Sequence, residues 1–344
     1  MCLLASPVLI EVLIDERNRL DNPLKKRDVV TLLGMIGGAA LTWRLMERDR
    51  ETRKEQQVEN SQQIETSLGD IEVSYKGEGQ PVLVIHGAMG SYEHATNFSG
   101  PLAECGFQIV APSRPGHLQT PLSDRRNAQE QADLIAAMLC ELDLRQVPIV
   151  AISGGGPVGI SLAANHPELC QSLTLINAIT HKLDPFRLAV IRIANVLVQW
   201  FPAQDYVAWL VTRFIVQTLP VWSLFKPEFR RLIIQDSNNL ELYKDAVRRF
   251  FPVENLLAGF DNDMGIYREA DIAVANDIQA PVLLVHSKTA ITVPYIHALK
   301  AEHAIKNKDT LYLTDAGHAM HLTHANEIWN RVASFIRENE AVKT

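Results

Sequence analysis

From about residue 64 onward the chain alternates short continuous apolar runs with amphipathic segments, and this alternation restricts its fold more than any other feature. PVLVIHG (81–87), FQIVAP (107–112), VPIVAIS (147–153), SLTLINAI (172–179), PVLLVH (281–286) and TLYLTD (310–315) each read as a strand. A run that is apolar throughout implies a strand covered on both faces. Ile71–Tyr75 instead alternates apolar and polar, as a half-buried strand does. Between these runs, residues 126–143 place Ala132, Ile135, Ala136, Leu139 and Cys140 on one helical face. Further helices are expected at 156–166 and 324–338. Such alternation predicts an α/β domain over residues 64–344, with a mostly parallel central sheet and helices on both sides. The apolar fraction of 47% suffices for a large core, and the net charge of −7, with no basic stripe, argues against a nucleic-acid partner. The four cysteines, Cys2, Cys105, Cys140 and Cys170, show no metal or redox spacing and read as buried or half-buried thiols.

Residues 1–63 differ in character. Residues 29–43, VVTLLGMIGGAALTW, carry no charge and follow Lys25, Lys26 and Arg27. A full span needs about 20 apolar residues. Fifteen suit a signal core or a short anchor, and a plain apolar helix docked on the protein is the competing reading. Membrane anchoring or export through this segment is the expectation. Residues 1–14, broken by Glu11, suit an interfacial or docking helix. Residues 44–63 are dense in charge and mark a solvated boundary.

One interval breaks the alternation. Residues 183–258 are helical in pattern, rich in Trp and Phe, and cut by Pro202, Pro220, Pro227 and Pro252. An insertion here falls at the C-terminal edge of the sheet, where open α/β sheets bind ligands. It is expected to form a helical cap over an apolar pocket, with Met89, Trp200 and Trp209 against the substrate.

Three loops carry the chemistry. AISGGGP (151–157) joins a strand to a helix, with Ala151 two residues before Ser153 and Gly155 two after. Small residues at these positions permit a turn tight enough to push the Ser153 hydroxyl above the sheet as a nucleophile. No Lys-Ser/Thr or GxGxxG accompanies the glycines, so a phosphate loop is disfavoured. VIHGAMGS (84–91) supplies backbone donors: Gly154 N–H and Ala88 N–H, with Met89 as an alternate, are the expected oxyanion hole. His86 is expected to hold this loop. DAGHAMHLTH (315–324) presents His318 as general base, with His321 and His324 beginning the next helix. These histidines lack an acidic partner at metal-binding spacing, so no metal or cofactor is expected.

Taken together, these motifs resemble the α/β-hydrolase fold superfamily, in particular its esterase- and haloperoxidase-like serine hydrolases, over about residues 64–340. SRPGHLQTPLS (113–123) resembles the family's loop after the fourth strand, with Ser113 in place of the usual Asp. The resemblance implies the order Ser153, acid, His318, and it exposes a gap. Family members often read V-H-G-x-x-D-x-x-V-P where this chain reads VHSKTAITVP (285–294), so the acid position falls on Ala290. Three explanations stay open. The acid comes from another loop, with Asp184 the leading surrogate, Asn177 the other polar candidate there, and Asp261, Asp263 and Asp271 weaker. A Ser-His dyad works with water, Thr289 or Thr292. Or hydrolysis has been lost, or Ala290 is an engineered replacement of Asp. The implied activity is hydrolysis of a small apolar carboxylic ester or acyl substrate. The alternatives are a non-catalytic ligand- or partner-binding hydrolase fold, or cofactor-free haloperoxidase-like or carbon–carbon bond hydrolysis.

Overall fold

A computed structural model describes residues 23–200, 203–215, 233, 236–314, 316–318 and 320–340. By its contacts the chain divides after Gln57. The N-terminal unit is dominated by one long helix, α1 (Pro23–Glu59). The uncharged stretch 29–43 and the charged stretch that follows share this helix, because neither contains a residue that stops it. Among the described residues no helix is long and apolar enough to cross a membrane. The expected anchor at 29–43 therefore has no support as a span: charges at both ends of the apolar stretch leave it too short. Residues 1–14 and Cys2 lie outside the described residues.

The main unit is built on an eight-stranded sheet in the order β1-β2-β4-β3-β5-β6-β7-β8. The strands are β1 (Gln62–Ile64), β2 (Ile71–Lys76), β3 (Gln80–Ile85), β4 (Phe107–Pro112), β5 (Val147–Ile152), β6 (Cys170–Ile176), β7 (Val282–Ser287) and β8 (Lys308–Leu313). β1 pairs with β2 and β2 with β4 in antiparallel fashion, and every later pairing is parallel. β5 and β6 are buried at every position; β5 is apolar throughout, whereas β6 also buries Gln171, Ser172 and Thr174. One apolar layer gathers around Leu83, Ile85, Ile149, Leu173 and Leu284, with Ile135 and Leu139 packed on it. The other gathers around Val82, Val84, Ile109, Val150 and Val285 and is closed by Trp329 and Phe335.

The remaining helices of the main unit are α2 (Tyr92–Phe98), α3 (Gly100–Glu104), α4 (Ala128–Glu141), α5 (Gly156–Asn165), α6 (Pro185–Trp200), α7 (Gln204–Leu210), α8 (Ser237–Arg248), α9 (Glu254–Glu269), α10 (Ile296–Ala304), α11 (Met320–Thr323) and α12 (Ala325–Glu340). α4 opens on a capping box, in which Asn127 and Glu130 each bond the other's backbone N–H. The insertion between β6 and β7 is mostly helical where it is described, as α6, α7, α8 and α9. Asp205 of α7 accepts from the Val253 and Glu254 amides at 2.8 and 3.2 Å and so caps α9. Asn97 donates to Asp245 at 2.7 Å, fastening α8 to α2. α6 reverses the expected polarity. Asn195 is buried and donates to Asp261, whereas Phe186, Val190, Ile193 and Leu197 lie on the exposed face. Phe201, Pro202, Pro220, Trp222, Phe225 and Pro227 lie outside the described residues. Cys170 is buried in β6 and Cys105 half-buried, whereas Cys140 is exposed, not buried, because it sits near the end of α4 away from the sheet.

Candidate active site

β5 ends at Ile152 and the chain enters α5 through a single turn, Ser153–Gly155. Ser153 takes φ of +51°, in the left-handed region that side-chain-bearing residues seldom adopt. The turn closes because its neighbours are small: a Cβ on Gly155 would stand 2.6 Å from the His86 carbonyl oxygen. The half-buried Ser153 side chain is thereby lifted off the sheet. Its Oγ lies 3.0 Å from His318 Nε2, 165 residues away in sequence. Proton transfer between a nucleophile and a base needs that separation.

His318 is carried by the loop after β8, and Asn177 holds that loop. At the end of β6, with φ of +42°, Asn177 donates to the carbonyls of His318 at 2.8 Å and Gly317 at 3.3 Å. Its Oδ1 accepts from the Ser287 amide at 2.9 Å, which ties the loops after β6, β7 and β8 together. Asn177 thus grips the backbone of residue 318 and not its ring.

The other ring nitrogen has nothing to hold. His318 Nδ1 is closed off from solvent and has no hydrogen-bond partner among the described residues. Burial, with a smaller contribution from nearby His286, pushes the His318 pKa down to about 4. A carboxylate partner acts in the opposite direction, so the lowered value and the orphaned nitrogen agree. Ala290 is buried just after β7. Thr289 Oγ1 accepts from Gly317 N–H at 3.3 Å, so residue 290 lies beside the His318 loop. Thr289 Oγ1 also contacts Ser287 Oγ at 3.1 Å.

Asp184 is not brought to His318. It is exposed, and its Oδ1 accepts from the Arg187 amide at 3.1 Å, which makes it the N-terminal cap of α6. Asp261 accepts from Asn195 and Asp271 from the Ala273 amide. Asp263 is engaged elsewhere, as described below. His321 lies tilted against Phe98 with ring centroids 4.0 Å apart, near enough to His318 for the two to disfavour each other's charge, and His324 Nδ1 contacts Thr323 Oγ1 at 2.8 Å.

The expected oxyanion donors, Gly154 and Ala88, lie against the turn. A Cβ built on Gly154 would stand 2.8 Å from the Ala88 nitrogen and would overlap the Tyr267 hydroxyl. Gly154 begins the turn into α5, where N–H groups lack intrahelical acceptors. Ala88 N–H donates to no described residue. Two backbone donors beside a raised serine can receive a developing negative charge. Met89, half-buried at φ of +49°, follows Ala88. Trp209 is buried inside the insertion, with Tyr206 stacked on it and Phe214 against its edge at 5.6 Å. The side chain of Trp200 lies outside the described residues.

Sequence reasoning missed the residues behind the oxyanion loop. Arg114 is fully buried, and its five guanidinium N–H groups have five acceptors. Nε donates to His86 O at 3.2 Å and Nη2 to Gly87 O at 3.3 Å. Nη1 donates to Gln131 Oε1 at 3.2 Å, and both terminal nitrogens reach Asp263 at 2.7 Å. Tyr267 adds its hydroxyl to Asp263 at 3.0 Å. The Arg114 amide donates to His86 Nε2 at 2.9 Å, so the proton of that neutral imidazole is on Nδ1, 2.8 Å from Gly87 O. Burial beside the Arg114 cation holds His86 well below the usual imidazole range. The signal in the sequence was the Arg of S-R-P-G, an obligate cation in a loop between two apolar elements, which demands a buried carboxylate.

Comparison with known proteins agrees with this architecture. The uncharacterized hydrolase YcgS of Bacillus subtilis is 27% identical over 258 residues, covering 74% of this chain and 90% of that protein. Among solved structures, an alpha/beta hydrolase fold protein from Nakamurella multipartita superposes with a TM-score of 0.68 at 23% identity, covering 80% of this chain and 99% of the other. The esterase EaEST from Exiguobacterium antarcticum gives 0.61 at 17% identity, covering 80% and 98%. The family model described as alpha/beta hydrolase fold matches residues 80–325, and by that match and this topology the chain belongs to the alpha/beta hydrolase fold family.

Proposed function

We propose that the protein is a serine hydrolase that cleaves an apolar carboxylic ester through an acyl-enzyme, using Ser153 and His318 as a dyad with no acid behind the base. The 3.0 Å contact between Ser153 Oγ and His318 Nε2 carries this reading. With its pKa lowered to about 4, His318 is neutral at pH 7 and free to accept a proton. Ser153 Oγ attacks the ester carbonyl carbon while its proton moves to Nε2. The carbonyl oxygen becomes an oxyanion between the N–H groups of Gly154 and Ala88. The C–O bond to the alcohol breaks, and the imidazolium returns its proton to the leaving alkoxide. Water then repeats the sequence on the acyl-serine, with His318 as base again.

The same feature that leaves His318 ready to accept a proton makes it a weak base. Among the described residues its imidazolium, once formed, faces no carboxylate, and loss of that partner with geometry kept lowers turnover on the order of 10⁴-fold in a serine triad. Slow turnover is therefore expected. An apolar substrate is supported by the cluster of Ile179, Leu183, Met264, Ile266 and Val293, against which Ala88 and Phe260 pack. Neutral apolar acyl groups lose least on entering such surroundings.

The test is labelling of Ser153 by a fluorophosphonate and turnover of p-nitrophenyl esters of increasing chain length. Labelling at Ser153, lost in Ser153→Ala, supports the reading. Absence of labelling at high probe concentration contradicts it and favours a non-catalytic ligand-binding role for the same frame.

A further inference from the structure

The Arg114 network lies behind the oxyanion loop, and its geometry bears on catalysis. In a trans peptide the C=O of one residue and the N–H of the next point in opposite directions. The Gly87 carbonyl and the Ala88 N–H belong to one such peptide. Gly87 O is held from one side by three donors: Arg114 Nη2 at 3.3 Å, His86 Nδ1 at 2.8 Å and the Gly90 amide at 3.2 Å. The Ala88 N–H must then point the other way, toward the turn that carries Ser153 and Gly154. A Cβ on Gly87 would already stand 3.0 Å from Ser153 Cβ, so loop and turn are in contact. Arg114 is in turn fixed by Asp263, whose two oxygens take both terminal nitrogens at 2.7 Å.

Asp263 and Tyr267 are not part of the sheet. Both lie on α9, the last helix of the insertion, one turn apart on the same face. Tyr267 also fills the space that Gly154 leaves by having no side chain. Gly116 O, two residues beyond Arg114, accepts from the Gly259 amide at 2.9 Å on the same helix. α9 is thus clasped to the loop after β4, which through Arg114 holds the loop that carries Ala88.

We propose that Arg114, anchored by Asp263 and Tyr267, is a positioning residue for the oxyanion hole. It holds the Gly87–Ala88 peptide so that the Ala88 N–H stays aimed at the reacting carbonyl oxygen, and it makes docking of α9 and order in the oxyanion loop a single event. The catalytic part of this claim rests on the serine-hydrolase reading; the ordering of the loop does not. A buried cation behind the Gly87 carbonyl also polarises the peptide, which strengthens the Ala88 N–H as a donor to an anion.

The test compares the full chain with Arg114→Lys and with Tyr267→Phe. Lysine keeps the charge opposite Asp263 but cannot fork to Asp263, His86 O and Gly87 O together. Phenylalanine removes only the hydroxyl and leaves the ion pair, so it reports even if Arg114→Lys does not fold. Amide exchange is read at Gly90, whose N–H bonds Gly87 O, and along 149–152 of β5 as a control. The expected result is at least tenfold faster exchange at Gly90 in Arg114→Lys and at least threefold in Tyr267→Phe, with β5 unchanged. The rate of Ser153 labelling falls by similar factors, and kcat falls with KM within twofold, because the donor acts on the transition state. Gly90 exchange equal to wild type in Tyr267→Phe, and in Arg114→Lys where it folds, overturns the proposal. So does normal labelling per folded molecule despite faster exchange, since a scaffold role lowers stability without changing that rate. If the wild type is not labelled at all, the serine reading fails, and Gly90 exchange still decides whether the network orders the loop.

Discussion

The two halves of the candidate site are built to opposite standards. Behind the nucleophile and its oxyanion donors, Arg114, Asp263, Tyr267, His86 and Gln131 form a buried network in which every guanidinium N–H has an acceptor. Behind the expected base, His318 Nδ1 is buried with no partner among the described residues, and Ala290, to which the resemblance assigns the acid position, is a buried methyl group. In the proposed reaction one half faces the charge that appears on the substrate. The other is unprepared for charge that appears on the enzyme. The difference teaches that a hydrolase frame can keep stringent oxyanion geometry while its base lacks support, because the two are held by separate elements: α9 and the β4–α4 loop on one side, the loops after β6, β7 and β8 on the other.

The sharpest break of this contrast is to remove the shared reactants. Ser153→Ala or His318→Ala is expected to lower ester turnover by a further ~10²-fold to background, since deleting the serine or histidine of a triad costs roughly 10⁶-fold in all and a missing acid already accounts for about 10⁴ of it. Steady-state assay with active-site titration checks this. The contrast is narrowed by supplying what the base lacks. Ala290→Asp is expected to raise kcat by about 10²- to 10⁴-fold, the range set by loss of a triad carboxylate. No increase, in a folded variant, means that the base is already supported.

On the prepared side, Asp263→Ala strands a buried Arg114 cation, and a chemical melt is expected to show a loss of about 3–5 kcal/mol. Acid stability probes both sides. His117 and His318 are held down at about 4 and His297 and His321 at about 3, all chiefly by burial. Each is neutral in the fold, whereas the unfolded chain takes up its proton near pH 6.5. Their contribution is present above pH 6.5 and is lost as the pH falls toward about 4. Denaturant titrations are expected to show stability declining across that window, on the order of 1 kcal/mol per pH unit for each histidine. Flat stability from pH 7 to 4.5 contradicts the burial of these rings. The smallest effect belongs to the excluded acid: Asp184→Ala removes an exposed helix cap, with an expected loss of about 1 kcal/mol and turnover within twofold of wild type.

The sheet was legible because its central strands are largely apolar and begin and end at turns. PVLVIHG, VPIVAIS and PVLLVH sit where β3, β5 and β7 run. The short edge strand β1 and the helices α2, α3 and α10 were not read, since three residues or one or two turns give no clear period. The AISGGGP turn announced Ser153 because close packing there leaves room for little beyond glycine. The Arg114–Asp263 pair was hidden because its members are 149 residues apart and only the fold joins them. Asp184 misled because a carboxylate at a loop end serves equally as a helix cap, and nothing local separates the two uses. The outward apolar face of α6 was not read, since richness in large apolar residues does not say which way a helix turns them.

The central claim is that His318 is a neutral base without a carboxylate. Its most direct test is the pH dependence of Ser153 labelling by a fluorophosphonate, measured in wild type and in Ala290→Asp. The account predicts an acid limb near pH 4 in the wild type, moving upward toward the ordinary imidazole range in Ala290→Asp as labelling accelerates. A wild-type limb already near pH 6.5–7, unmoved by the substitution, would contradict it, because a buried imidazole titrates in the ordinary range only when solvent or an acceptor stabilises its charged form.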